Sequence, residues 1–188
     1  MDLEFETKVL DINIKTIEKK LTKLKAKKEA EVTMKRWVFD IDSTKDEFMR
    51  LRDEGKKVTL TYKRKTGSGI SETEEIEVEI SHFEKAAEIL SKLKFNNKYY
   101  QENKRKIFKL RGIEFAIDTW PKIPAYLEIE SYNENKVKEG LALLNLDGKD
   151  VGNITVTKVY QKYGIDLSHF KELRFWVATW IFVIAEQV

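Results

Sequence analysis

The chain has 188 residues, 41% hydrophobic and 36% charged, which is enough for one domain with a real core and an unusually dense charge pattern. Lysine and arginine total 35 against 32 aspartates and glutamates, a formal +3, short of the basic excess usual in a duplex nucleic-acid binder. With no cysteine and only His82 and His169, disulfides and thiolate sites are excluded and a histidine-rich zinc site is disfavoured, so any metal here is held by oxygen.

The first element is a strand through Glu4-Phe5-Glu6-Thr7-Lys8. In an extended chain Glu4, Glu6 and Lys8 share one face, while Leu3, Phe5 and Val9 line the other beside Thr7. Two readings are open: the solvated face of an edge strand, or the floor of a site that holds a cation and an anion. The chain starts without a basic-then-apolar leader, so no signal peptide and a cytoplasmic protein are expected.

Residues 12–28 carry Ile14, Ile17, Leu21 and Leu24 at helical spacing, with Asn13 as N-cap and lysines on the wet face. A strand follows over 31–41, with Val32, Met34, Trp37, Val38, Phe39 and Ile41. Residues 47–53 and 56–65 form a hairpin around Asp53-Glu54-Gly55. Arg50 and Arg52 share one face of its first arm, and Thr59, Thr61, Lys63 and Lys65 share one face of the second. Thr66-Gly67-Ser68-Gly69 reads as a hairpin turn, since no Gly-Lys-Ser/Thr follows to make a phosphate loop. It leads to a strand at 72–80 with Glu75, Glu77 and Glu79 opposite Ile76, Val78 and Ile80.

A helix over 82–93 turns Phe83, Ala86, Ala87, Leu90 and Leu93 inward, with His82 in a capping or surface role at its start. Strands return at 98–110, 113–119 and 125–131, bearing Lys104, Arg105, Asp118, Glu128 and Glu130. A further helix covers 134–145 on the stripe Val137, Leu141, Leu144, and 153–163 reads equally as helix or strand. The apolar run from Phe175 to Ile184 is shorter than the roughly 20 residues a membrane span needs. Packing on the exterior, a homodimer contact and a membrane surface are its readings, in that order.

The polar rows are sorted by sign. Carboxylates come in pairs (Glu4/Glu6, Glu75/Glu77, Glu128/Glu130), and so do cations (Arg50/Arg52, Lys63/Lys65, Lys104/Arg105). A solvated sheet face gains from mixing signs between neighbouring strands. Like charges two positions apart lie roughly 6.6 Å from each other, and their repulsion grows several-fold once walls exclude water. Rows that face inward need neutralising, the acids by oxygen-preferring divalent cations and the bases by a polyphosphate. The expected fold is α+β: a closed antiparallel barrel of seven or eight strands with a charged lumen and helices on its apolar outside.

These rows, in this order, resemble the CYTH family, the triphosphate tunnel metalloenzymes, which include class IV adenylyl cyclases and thiamine or inorganic triphosphatases. The resemblance runs through Glu4-x-Glu6-x-Lys8, Arg50-x-Arg52, Lys63, Glu75-x-Glu77, Arg105, Asp118 and Glu128-Ile129-Glu130, and covers residues 1–175. Residues 176–188 then form an added apolar tail. Three departures stand out: Asn103 and Thr73 occupy positions often basic in the family, and no His-Phe pair precedes Glu4. The last tilts the expectation from cyclase towards hydrolase.

The resemblance implies a metal-dependent hydrolase of inorganic triphosphate, thiamine triphosphate or a nucleoside triphosphate, with adenylyl cyclase or a non-catalytic triphosphate-binding barrel as alternatives. Lys8, Arg50, Arg52, Lys63, Lys104 and Arg105 would grip the triphosphate. Glu4, Glu6, Glu75, Glu77, Asp118, Glu128 and Glu130 would hold Mg2+ or Mn2+, with Glu4, Glu6 and Lys8 closest to catalysis. The expected partner is a small triphosphate; duplex nucleic acid and a transmembrane segment are not expected.

Overall fold

Alternation along each strand decides what the barrel buries and what it encloses. A computed structural model describes residues 2–42, 44–45, 47–65, 72–95 and 99–175; the side chains of 2–4, 65, 72 and 73 lie outside that description. The strands are β1 (Asp2–Val9), β2 (Lys27–Asp42), β3 (Glu47–Asp53), β4 (Val58–Lys65), β5 (Glu72–Ile80), β6 (Tyr99–Leu110), β7 (Ile113–Thr119), β8 (Tyr126–Ser131) and the two-residue β9 (Glu172–Leu173). The helices are α1 (Ile14–Lys23), α2 (Phe83–Lys92), α3 (Glu134–Leu143) and α4 (Val156–Lys162).

The sheet runs β2-β3-β4-β5-β1-β8-β7-β6, and β6 pairs back onto β2, so eight antiparallel strands close into a ring. β9 adds in parallel to the start of β6 at Tyr100 and Gln101. The 16-residue β2 makes closure work: its second half pairs with β3, and from Lys27 to Val38 it pairs with β6. The β1–β5 seam is the shortest, joining Asp2–Phe5 to Glu72–Glu75.

The outward faces are apolar. α1 and α3 cover one side, where Ile17, Leu21, Val137, Leu141 and Leu144 pack on Val9, Phe108, Phe115, Ile117, Leu127 and Ile129. Gly140 lets α3 lie close, because a Cβ there would come within 2.7 Å of Ile129 Cγ2. α2 covers a second side with Phe83 and Leu90 over Phe39 and Leu51. Asn13, Asn133 and Thr155 cap α1, α3 and α4 by accepting from Thr16, Lys136 and Lys158 backbone N–H groups.

Residues 153–163 resolve as α4, which closes one end of the barrel through a cluster of Trp120, Tyr126, Val159, Tyr160, Leu167 and Leu173. Leu93 does not face inward: α2 stops at Lys92, Lys94 turns the chain with a φ of 64°, and Leu93 is 62% exposed. His82 is exposed and makes no side-chain cap bond. Ile76 and Val78 point outward as expected, each 51% exposed, and no helix among the described residues covers them. The turn at 66–69 and the tail from Trp176 onwards lie outside the described residues. Among the described residues, no helix is long and apolar enough to cross a membrane.

Candidate functional site

The inward rows meet around one cavity of about 620 Å3 inside the barrel. β1 supplies Glu6 and Lys8, β3 Arg50 and Arg52, β4 Lys63, β5 Glu75 and Glu77, β6 Arg105, and β8 Glu128 and Glu130, all lining it. Of the expected residues Glu4 has only its backbone described, opposite Thr73 on β5.

The register explains the grouping of the acids. Glu6 lies opposite Glu130, and Lys8 opposite Glu128. One carboxylate oxygen from each of Glu6, Glu128 and Glu130 falls within 4.8 Å of the others. Lys8 bridges two of them, with Nζ 3.2 Å from Glu6 and 3.0 Å from Glu128. Burial lowers the Lys8 pKa, but the Glu128 and Glu6 carboxylates outweigh it and hold the ammonium above its ordinary value. For Glu128, burial pushes the carboxyl up, yet Lys8 and Arg105 overcome it and keep it well below the usual range. Three oxygens at this spacing, with no histidine or sulfur ligand grouped with them among the described residues, fit a hard divalent cation such as Mg2+ or Mn2+.

The cations gather on the facing wall. Arg36 of β2, which the sequence reading did not select, lies directly opposite Arg52 of β3, with Arg50 one step along. Arg36 is 6% exposed, stacks on the Trp120 ring at 4.6 Å and donates to the Asn103 side chain. Burial, and then Arg50, Arg52 and Arg105, push its pKa well below the ordinary arginine value. Burial and Arg50 bring Arg52 down to about 10. The Nε groups of Arg36, Arg50 and Arg52 are buried without a hydrogen-bond partner. Buried donors left unpaired cost about 1–3 kcal/mol each, more when charged, so this wall is organised for an anion.

Two expected residues take other places. Lys104 neighbours Arg105 on the strand, so it points to the opposite face; it is exposed, with Nζ 4.9 Å from the Phe175 ring centre. Asp118 is fully buried, but both of its oxygens are engaged: Arg105 donates at 2.9 and 2.6 Å, and Asn103 donates at 3.0 Å. Asp118 therefore orients Arg105, whose Nη2 also donates to Glu128 at 2.9 Å. Glu75 and Glu77 line the cavity but stand outside the three-carboxylate group. Glu75 pairs with Lys63 at 2.5 Å, and Glu77 accepts from Thr61 at 2.8 Å.

Asp118→Asn is expected to cost about 3 kcal/mol by breaking a buried pair, roughly 6–12 °C in Tm for a chain of this size. Melting curves and metal titrations check it. A shifted metal titration at unchanged Tm would return Asp118 to the metal ligands.

Residues 2–160 match the CYTH domain. Over 86 residues the chain is 40% identical to the Methanocaldococcus jannaschii protein named "Putative adenylate cyclase MJ0240". That match takes in 45% of this chain and 49% of the relative, so the chain spans about half the length of the curated relative it matches. Among solved structures, the PH1012 protein of Pyrococcus horikoshii OT3 is similar with a TM-score of 0.71 at 25% identity, over 78% of this chain and 93% of that one. The Hippeastrum protein HpAC1, described as an adenylyl cyclase candidate with a dominant triphosphatase activity, shares the fold with a TM-score of 0.54 at 14% identity, over 87% and 96%.

Proposed function

Because the chain belongs to the CYTH family, we propose that it is a metal-dependent triphosphatase that holds its substrate inside the barrel. One observation carries the reading: three arginines with buried, unpartnered Nε donors line the same cavity as a three-carboxylate cluster. Arg36, Arg50 and Arg52 take the non-bridging phosphate oxygens, with Lys8, Lys63 and Arg105 supplying further positive charge. Glu6, Glu128 and Glu130 hold a divalent ion, with Glu4 as a further candidate on the same row. When bound, Mg2+ or Mn2+ supplies charge neutralisation and a more acidic water for attack on the terminal phosphorus. Fixed donors need no reorganisation as charge shifts during the reaction, and this accounts for most of the expected acceleration.

The name of the Methanocaldococcus relative favours a second reading, adenylyl cyclase, in which the ribose 3′-hydroxyl attacks the α-phosphorus of ATP. HpAC1 supports the first, since the same fold there carries a dominant triphosphatase activity. Incubation with inorganic triphosphate, thiamine triphosphate and ATP, each with Mg2+ or Mn2+, separates the two. Released orthophosphate is expected; cyclic AMP as the main product overturns the hydrolase, and binding without any product leaves a carrier.

A further inference from the structure

We propose that Asn103 is a positioning residue: its side-chain amide, set behind the cavity wall, holds the Arg36 guanidinium where phosphate oxygens are gripped. This rests on the triphosphate reading above.

Asn103 reaches Arg36 diagonally across two strands. Asn103 of β6 pairs with Met34 of β2, while Arg36 pairs with Gln101. Asn103 and Asp118 are both fully buried. Neither lines the cavity, whereas Arg36, Arg105 and Glu128 do. A ligand there meets Arg36 and not Asn103.

The amide faces two ways. Its oxygen accepts from Arg36 Nη2, and its Nδ2 donates to Asp118 Oδ1 at 3.0 Å. Asp118 is itself gripped by Arg105 at 2.9 and 2.6 Å, and Arg105 reaches on to Glu128 at 2.9 Å. Asn103 is thus the joint that fastens Arg36 to a pair already fixed. Turned over, the amide would set N–H against guanidinium donors and oxygen against carboxylate, so its neighbours decide its orientation. A carboxylate at 103 would face Asp118 and an ammonium would face Arg36; a neutral amide serves both.

Arg36 needs such an anchor. Arg50, Arg52 and Arg105 all repel it. Among the described residues its side chain is held by Asn103 and by the Trp120 face, 4.6 Å away. A ring face restrains a guanidinium along one direction and lets it slide along the others. The Asn103 bond is directional and stops the slide. Arg36 Nε stays buried without a partner, a donor left over for a ligand.

Titration calorimetry on the full chain with inorganic triphosphate, Ca2+ replacing Mg2+ to slow turnover, tests this as a double-mutant cycle with Arg36→Met. Asn103→Leu is expected to weaken binding roughly fivefold to tenfold, part of what Arg36→Met loses. Asn103→Ser, too short to span from Arg36 to Asp118, is expected to lose as much and leaves room in the core should leucine block folding. Combined with Arg36→Met, either change is expected to bind within about twofold of Arg36→Met alone, because the amide then has nothing to aim. A merely structural role predicts instead that the two single losses multiply, and that result overturns the proposal. So do variants at 103 that bind like the parent. A parent chain that binds no triphosphate removes the underlying reading as well.

Discussion

Glu130→Gln is expected to lower turnover at least about 100-fold, and to shift metal activation to higher concentration, with Tm within a few degrees of the parent. The fold-change corresponds to several kcal/mol of lost charge stabilisation, the scale attached to a catalytic divalent ion. Glu130 is the informative member of the cluster because it is half-buried, while Glu128 is buried between Lys8 and Arg105. Removing the Glu128 charge would unbalance those cations and cost about 3–5 kcal/mol of stability, mixing folding with function. Glutamine at 130 keeps the shape and a neutral oxygen. Activity assays across a metal titration, with melting curves alongside, decide the matter. An unchanged metal dependence would remove the Glu6–Glu128–Glu130 assignment.

Arg36→Met is expected to lower triphosphate affinity while leaving ligand-free stability close to the parent's. In the wild-type chain Arg36 is buried beside Arg50, Arg52 and Arg105, donates to the Asn103 side chain and stacks on the Trp120 face. Methionine removes a desolvated like charge from beside three arginines, and replacing buried ionic groups by well-packed apolar ones is often neutral or stabilising by about 1–4 kcal/mol. The Asn103 oxygen loses a donor, which offsets about 1–3 kcal/mol of that gain. The two effects roughly cancel, so the ligand-free Tm should stay within a few degrees of the parent's. A charge-assisted hydrogen bond to phosphate is worth about 1.5–3 kcal/mol, so triphosphate affinity should fall roughly tenfold to 100-fold. Differential scanning fluorimetry with and without inorganic triphosphate reads both effects. A lower ligand-free Tm with unchanged affinity would make Arg36 a structural residue.

Much of this was legible because a strand sorts its side chains by parity. Glu6 and Lys8, Arg50 and Arg52, and Glu128 and Glu130 sit two apart, so each pair had to share a face, and the cavity is lined by those faces. Parity also separates Lys104 from Arg105: adjacent strand residues cannot both point inward, and pairing them as one anion grip overlooked this. Arg36 was hidden by its company. Trp37 and Phe39 gave that strand an apolar look, although Met34, Arg36, Val38 and Asp40 alternate cleanly on the other side. Asp118 had the expected parity, but strand position alone cannot say that both its oxygens are spent on Arg105 and Asn103. α4 was ambiguous because a seven-residue helix offers fewer than two full turns of periodicity.

The pairing of β6 back onto β2 has a consequence for traffic. Each wall strand has a hydrogen-bonded neighbour on either side, the β1–β5 seam being the shortest, so parting the ring sideways to admit or discharge a molecule would break a ladder. Whatever enters must thread through an end, and whatever is formed must leave the same way. Substitutions at the rims should then alter residence times before they alter the bond-breaking step, and a slow exit would be built into the architecture from the moment the ring is sealed.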